Sequence, residues 1–280
     1  EVKKDGIEAW FKKDIKDLID DHNDYEKVND TLDVWFDSGA THSAVLKEKH
    51  GLDFPADLYL EGSDQHRGWF QSSFLSSVSI SGKPPFKSAM THGFTVDAKG
   101  NKMSKSKGNV VSPQKVINRL GADILRLWVA STDYTSEISV SDEILNRTSD
   151  KYRKIRNTIR FLLANISDFE EKDYESEISN ELDKWILCRA INTQKNIIEN
   201  YDKYNMHNVV QIIHSFCVNE LGSFYLDIIK DRIYTINKNS YSRKSAQQAM
   251  KHILNMLILW LAPICPHTAE ESWSHFTKTN

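Results

Sequence analysis

The sequence predicts an α/β fold followed by an all-α helical bundle. Three observations carry that prediction. Short β-rich runs alternate with helical patterns up to about residue 150, most of the glycines lie in that part, and beyond it apolar residues recur at three- and four-residue steps. A chain of 280 residues is long enough for one large domain or two ordinary ones with a real core.

In chain order, "DLYLEG" (Asp57 to Gly62) reads as a short buried strand ending at a glycine turn, and "QHRGWFQSSFLSSVSI" as the helix it feeds. "SAMTHGFTV" (Ser88 to Val96) reads as a second strand, and "DAKGNKMSKSKGN" as the loop after it. One further helix is expected over "SPQKVINRLGADILRLWVAS", with Ser112 at the N-cap and Pro113 at the first helical position. Strand, helix, strand, loop, helix is the order of a parallel α/β sheet, whose ligands sit beyond the carboxyl ends of the strands. The turn "LEGSDQ" and the lysine loop both fall at such ends, so they are expected to face one pocket. After residue 150, Tyr152, Ile155, Ile159 and Leu162 share a helical face, as do Ile253, Leu257 and Leu261. Met206, Val209, Ile213, Phe216 and Phe224 mark another long helix. About five helices in a bundle are expected, two of them joined by the acidic connector "SDFEEKDYESEISNE".

Composition narrows the function. A formal charge of -3 excludes a globally basic nucleic-acid binder but leaves room for a local basic patch. No run of about eighteen apolar residues is present to span a membrane, and the first residues lack a secretory h-region. They also lack an initiator methionine, which suggests a start inside a longer polypeptide. Cys188, Cys217 and Cys265 lie far apart with no CxxC pair, which argues against a zinc site or disulfide framework and for the cytoplasm. All three sit in predicted helices and are expected in the core.

The segment "GNKMSKSKGN" (Gly100 to Asn109) places Lys102, Lys105 and Lys107 between two glycines. It is not a Walker loop, since no GxxxxGK[ST] occurs. By itself it fits a solvated hairpin tip or an anion-binding loop. In "YLEGSDQHRGWF", Glu61, Asp64 and Gln65 crowd a strand-to-helix turn, where carboxylates suit a ribose or an ammonium group better than a phosphate. Helix capping by Asp64 is the competing reading, and Trp69 and Trp35 are equally compatible with core packing. In "KYRKIRNTIR", one face carries Tyr152, Ile155 and Ile159, which leaves Arg153, Lys154, Arg156 and Arg160 mostly free to meet phosphate or simply to be solvated.

Taken together these stretches resemble the class I aminoacyl-tRNA synthetases. "KMSKS" (Lys102, Met103, Ser104, Lys105, Ser106) matches a signature of that family letter for letter. "DVWFDSG" (Asp33 to Gly39) and "EGSDQHRGW" (Glu61 to Trp69) look like its isoleucine branch, and "LGADILRLWVASTDY" and "FYLDIIKDRIYT" extend the likeness. The resemblance implies isoleucine activation with ATP and Mg²⁺, followed by transfer to the isoleucine tRNA, by a monomeric ligase. It implies catalytic roles for Lys102 and Lys105 on the ATP phosphates, with Gly100 and Gly108 letting the loop close, and places His92 and Gly93 near the adenine. Glu61, Gly62, Asp64, Gln65, Trp69 and Trp35 would bind the aminoacyl adenylate, the two tryptophans walling the isoleucine side chain. Arg153 and Arg156 become candidates for tRNA contact, whereas Lys107 matches no position of the five-letter signature and is expected in solvent.

The family's HIGH-like tetrapeptide is absent, and so are an editing domain and a zinc-binding tail. The expectation is therefore a fragment, inactive alone: residues 1–30 a connector, 31–150 the second half of a Rossmann-type catalytic domain, and 151–280 a helical anticodon-binding domain. The alternatives are a valine-type synthetase fragment and a non-catalytic tRNA-binding paralogue.

Overall fold

A computed structural model describes residues 1–47, 51–170, 178 and 180–277, which form two compact units, Glu1–Thr91 and His92–Asn280.

The first unit begins with short helical pieces, α1 (Val2–Asp5) and α2 (Glu8–Lys12), neither of which buries a residue. Its ordered centre is built from α3 (Val34–Gly39), β1 (Ala56–Gly62), α4 (Trp69–Ser81) and β2 (Phe86–His92). β1 and β2 are hydrogen-bonded neighbours, joined through α4. The Asp33 carboxylate accepts the Trp35 N–H at 2.8 Å and so caps α3. The α4 helix stops at Gly82, whose φ of 67° is the left-handed conformation that closes a helix end. The helix expected to begin at Gln65 instead begins at Trp69. Residues Ser63–Arg67 make a tighter 3₁₀ turn, and Gly68 (φ -121°, ψ -113°), neither helical nor extended, breaks the winding.

The second unit contains β3 (Thr95–Val96), α5 (Pro113–Leu120), α6 (Ala122–Ala130), β4 (Ile138–Ser139) and the helices α7 (Asp142–Asn165), α8 (Glu181–Asp202), α9 (Met206–Ser215), α10 (Leu226–Ile228), α11 (Lys230–Tyr234), α12 (Tyr241–Leu261) and α13 (Pro266–Thr277). β3 and β4 pair in parallel, Thr95 opposite Ile138 and Val96 opposite Ser139.

Four of the expected elements form differently. The run Ser88 to Val96 is not one strand: it divides into β2 and β3 at Gly93, whose N–H turns to the Tyr134 carbonyl at 2.9 Å. The single helix after Ser112 is two helices, because Gly121 adopts a φ of 94° between α5 and α6. Ser112 holds the N-cap position with Pro113 behind it, but its side chain makes no capping bond. Finally, the helix through Met206 does not keep one phase. After α9 it widens into a π-helix, Phe216–Tyr225, so Tyr225 turns inward with no exposure while Phe224 is left outside against the Trp185 ring at 5.1 Å. The helical pattern assigned to residues after 150 starts earlier, since α7 runs unbroken through that position.

The bundle core forms around α12, which packs against α7, α8, α11 and α13. Ile253, Leu257 and Leu261 are buried there, as are Ile155, Ile159 and Leu162 of α7. Cys217 and Cys265 belong to this core, but Cys188 is exposed on α8. Burial of the two core thiols pushes both up to about 12, which keeps them protonated. Most of the acidic connector, residues 171–177 and 179, lies outside the described residues. No helix of the described residues is long and apolar enough to cross a membrane.

Two buried carboxylates tie the elements together. Asp183 of α8, fully buried, receives both terminal nitrogens of Arg232 (3.0 and 2.6 Å), the Tyr225 hydroxyl (2.8 Å) and the Ser245 hydroxyl (2.6 Å). It thereby joins α8, the π-helix, α11 and α12. Asp123 of α6 accepts the Thr268 N–H (2.7 Å), the Thr268 hydroxyl (2.5 Å) and the His267 N–H (3.4 Å) at the start of α13. Arg126, one turn along α6, donates to the carbonyls of Ile264 (2.8 Å) and Pro263 (2.9 Å). Removing the acceptor of such a network strands its partners in a dry interior. Asp183→Ala should therefore lower the unfolding free energy by about 3–5 kcal/mol, which equilibrium denaturation would measure.

Candidate functional site

The residues singled out by sequence fall into two constellations, one in each unit, and a basic face on α7. In the first, glycines let bulky groups approach. A Cβ on Gly39 would meet Ser72 at 2.9 Å, so α3 can lie against α4 only without one. A Cβ on Gly68 would meet the Gln65 side-chain oxygen at 2.6 Å and the Trp35 ring at 3.2 Å. The glycines of "DVWFDSG" and "HRGW" thus seat one aromatic wall.

Trp69 is fixed on three sides. Its ring stacks on Tyr59 with centroids 4.2 Å apart, its indole N–H donates to the Ser38 carbonyl at 2.8 Å, and its backbone N–H donates to the Gln65 side-chain oxygen at 3.0 Å. Gln65 thus satisfies the first free N–H of α4, whose N-cap position is held by Gly68. Asp64, the capping residue considered from sequence, keeps an exposed carboxylate that takes only a long contact from Gln65 Nε2 at 3.4 Å. Glu61 is exposed at the end of β1, with Gly62 buried beside it. Trp35 is 46% exposed, and its ring lies against Gly68 beside the Gln65 side chain. Two acids and two tryptophans in this setting suit a ligand with hydroxyl or ammonium donors and an apolar part.

In the second unit, the lysine loop is built on β3. Val96 bridges Lys102 in antiparallel fashion, and the Lys102 ammonium lies 4.0 Å from the centre of the Phe94 ring. Met103 packs against a small core of Val116, Trp128, Ile138, Val140 and Leu145. The first part of the loop is thus anchored. The second part, Lys105–Lys107, is a single 3₁₀ turn ended by Gly108 at a φ of 65°. Ser104 caps it, its hydroxyl accepting the Lys107 N–H at 3.3 Å and meeting the Ser106 hydroxyl at 3.1 Å. Lys105 and Lys107 are exposed, and Lys107 lines an open depression of about 430 Å³ with Asp97, Lys99, Asn101 and Asn109. His92 is half-buried with its Nδ1 2.9 Å from the Gly93 carbonyl oxygen.

Asp97 and Asn109, which sequence reasoning passed over, organise this loop. The Asp97 carboxylate accepts the N–H groups of Lys99 and Asn101, both at 2.9 Å, and the Asn109 amide at 3.0 Å. These donors, the Asn109 amide foremost, hold its pKa down at about 2, so it stays ionised at any pH near neutrality. An acid and an amide bracketing a glycine-containing loop were the available signal.

The basic face of α7 is less free than its periodicity implied. Arg156 pairs with Glu271 of α13 at 2.7 and 2.9 Å and reaches the Tyr152 hydroxyl at 3.3 Å, so its charge is already used within the bundle. Its guanidinium is held well above the usual range by the Glu271 carboxylate. Arg153 remains largely exposed, in an i,i+3 pair with Asp150 at 3.0 Å. Among the described residues, no three His, Cys, Asp or Glu side chains gather as a metal site.

Comparison with known proteins gives this geometry its context. Residues 1–141 match the family described as tRNA synthetases class I (I, L, M and V). The chain belongs to that family. Residues 183–280 match the anticodon-binding domain of tRNA ligases. Among curated relatives, the isoleucine–tRNA ligase of Ruthia magnifica is 58% identical over 277 residues, covering 98% of this chain and 30% of that protein. The isoleucine–tRNA ligase of Saccharophagus degradans is 55% identical over 275 residues, with 97% and 30% covered. This class I synthetase chain therefore spans about 30% of the length of the curated relatives it matches.

Solved structures bear out the fold. A LeuRS–tRNA–LeuAMS ternary complex from Agrobacterium radiobacter superposes with a TM-score of 0.71 at 20% identity, over 91% of this chain and 33% of that one. Methionyl-tRNA synthetase from Mycobacterium tuberculosis with methionyl-adenylate gives 0.70 at 20% identity, over 86% and 49%. An α/β domain followed by a helical bundle is the architecture expected from sequence, and the structural neighbours share it.

One packing constraint next to the loop is directly testable. A Cβ on Gly93 would lie 2.1 Å from the Ser136 carbonyl oxygen, so the β3–β4 pairing requires glycine there. Gly93→Ala should cost about 3 kcal/mol or more, seen as a lowered melting temperature of the full chain.

Proposed function

We propose that this chain is part of an isoleucine–tRNA ligase, which joins isoleucine to AMP at the expense of ATP and then transfers it to the isoleucine tRNA. The observation that carries this reading is the 58% identity over 277 residues to a protein of that name. In this reading residues 1–30 are a connector, 31–150 supply the lysine-loop half of the catalytic domain, and 151–280 form the anticodon-binding part, with α7 as the passage between the last two.

The chemistry follows from where charge develops. When the isoleucine carboxylate attacks the α-phosphorus, negative charge builds on the departing pyrophosphate. A cation that meets this charge more strongly than it meets bound ATP lowers the barrier. Lys105, exposed on a glycine-bounded turn, suits that task. Lys102 would assist only by leaving the face of Phe94, to which it is drawn at 4.0 Å. The Ser104 and Ser106 hydroxyls shape the turn, and Met103 roots it in the small core. His92 and Gly93, at the end of β2, would lie beside the adenine.

Glu61, Gly62, Asp64 and Gln65 would engage the ribose and ammonium end of the adenylate, with Trp69 and Trp35 against the isoleucine side chain. Mg²⁺ would accompany ATP on the phosphate oxygens, where it would neutralise charge. Among the described residues no three ligating side chains gather as a cage for it. On the tRNA side, Arg153 is the stronger candidate for phosphate contact, because Arg156 is engaged by Glu271.

The complete ligase containing this chain should catalyse ATP–pyrophosphate exchange that depends on isoleucine, with valine supported far more weakly. The isolated 280-residue chain should show none. Exchange driven preferentially by valine, or robust exchange by the isolated chain, would contradict the reading.

A further inference from the structure

We infer that Asp97 and Asn109 form a clasp that fixes the lysine loop and thereby positions Lys105. The two residues sit at the two ends of the loop, and each uses its polar atoms on the loop backbone. Asp97 Oδ1 accepts the N–H groups of Lys99 and Asn101, while Oδ2 accepts Asn109 Nδ2 at 3.0 Å. Asn109 Oδ1 in turn accepts the Ser104 N–H at 3.0 Å, and Nδ2 also approaches the Lys102 carbonyl at 3.4 Å. A continuous chain of hydrogen bonds therefore runs from the first turn of the loop, through two side chains, to the residue that caps the Lys105–Lys107 turn.

The direction of these bonds is determined. An ionised carboxylate only accepts, so Asn109 must aim its amide nitrogen at Asp97 and its oxygen at Ser104. That polarity makes the pair reversible. In Asp97→Asn the new amide faces the Asn109 amide, donor against donor. In Asn109→Asp two carboxylates face each other. With both substitutions together, Asn at 97 still accepts the two N–H groups through its oxygen and donates to Asp at 109, which still accepts from Ser104. Each single change breaks the chain, and the exchange of the two restores the link between residues 97 and 109 and the bond to Ser104, losing only the long 3.4 Å contacts to the Lys102 carbonyl and the Asn101 amide. A purely local effect of either residue on stability would not show this pattern.

The activity side of the proposal rests on reading the lysine loop as the element that meets the ATP phosphates; its structural side does not. Two measurements separate them. Tryptic cleavage after Lys105 and Lys107 in the full chain reports how firmly the loop is held. Both single variants should be cut about tenfold faster or more, the effect of losing one charge-assisted bond, and the double variant should return close to the unsubstituted rate. In the complete ligase, kcat for exchange should fall about tenfold or more in each single variant, with KM for isoleucine unchanged, and recover in the double.

Single variants cut like the unsubstituted chain, or a double variant no better than the singles, would overturn the clasp. Cleavage that follows the pattern while exchange is unaffected by any variant would overturn the positioning role. Cleavage that follows the pattern in a ligase with no isoleucine-dependent exchange would uphold the clasp and sink the functional reading instead.

Discussion

The buried Asp123 carboxylate is the constraint through which the loop-bearing part of the second unit is held to its helical bundle. It lies at the start of α6 and takes up the free N–H groups at the start of α13, where an α-helix has no internal acceptors for them. Helix starts favour negative charge, so the tie is electrostatic as well as geometric. Arg126 completes it from the next turn by satisfying two carbonyls of the α12–α13 connection. α6 is consequently pinned at both polarities. The small core beneath the lysine loop, which includes Trp128 of α6 and Leu145 of α7, inherits that fixed position.

From that platform the loop divides its labour. Lys102 and Met103 are committed to neighbours, one to an aromatic face and the other to the core. Lys105 carries its charge into solvent on a turn limited by glycines with φ of 78° at Gly100 and 65° at Gly108. A cation meant to act on a changing charge gains from this arrangement. Its root is set, so little ordering is needed at the moment of reaction, and its tip is exposed. Asp97, the acid closest in sequence to the loop, is turned toward two backbone N–H groups and the Asn109 amide rather than toward lysine ammonium groups.

Much of this was legible in the sequence where a single physical signal dominates. The apolar steps Ile253–Leu257–Leu261 lie buried as their period requires, and the strand at Asp57 to Gly62 forms with its glycine end, although only Tyr59 and Gly62 of it are buried. Legibility failed where a remote partner decides. Gly93 splits a β-rich run because the carbonyls of Tyr134 and Ser136, some forty residues on, demand it, and Gly121 splits a helical run through its own backbone conformation. Phe224 carried the right periodicity, but a widened turn gave its place to Tyr225. Arg156 looked like free charge on α7 until Glu271, 115 residues away, was seen to hold it. Spacing along one element reveals which face a residue shares; it says nothing of what the chain brings to that face from elsewhere.

In the proposed reaction Lys105 would act on charge that appears only as the reaction proceeds. The most direct measurement is the single-turnover rate of isoleucyl-adenylate formation by the complete ligase carrying Lys105→Ala, set beside its dissociation constant for ATP. The rate should be lower by about 10²–10³ with ATP affinity nearly unchanged. An unaltered rate, or an affinity weakened by the same factor as the rate, would contradict that role.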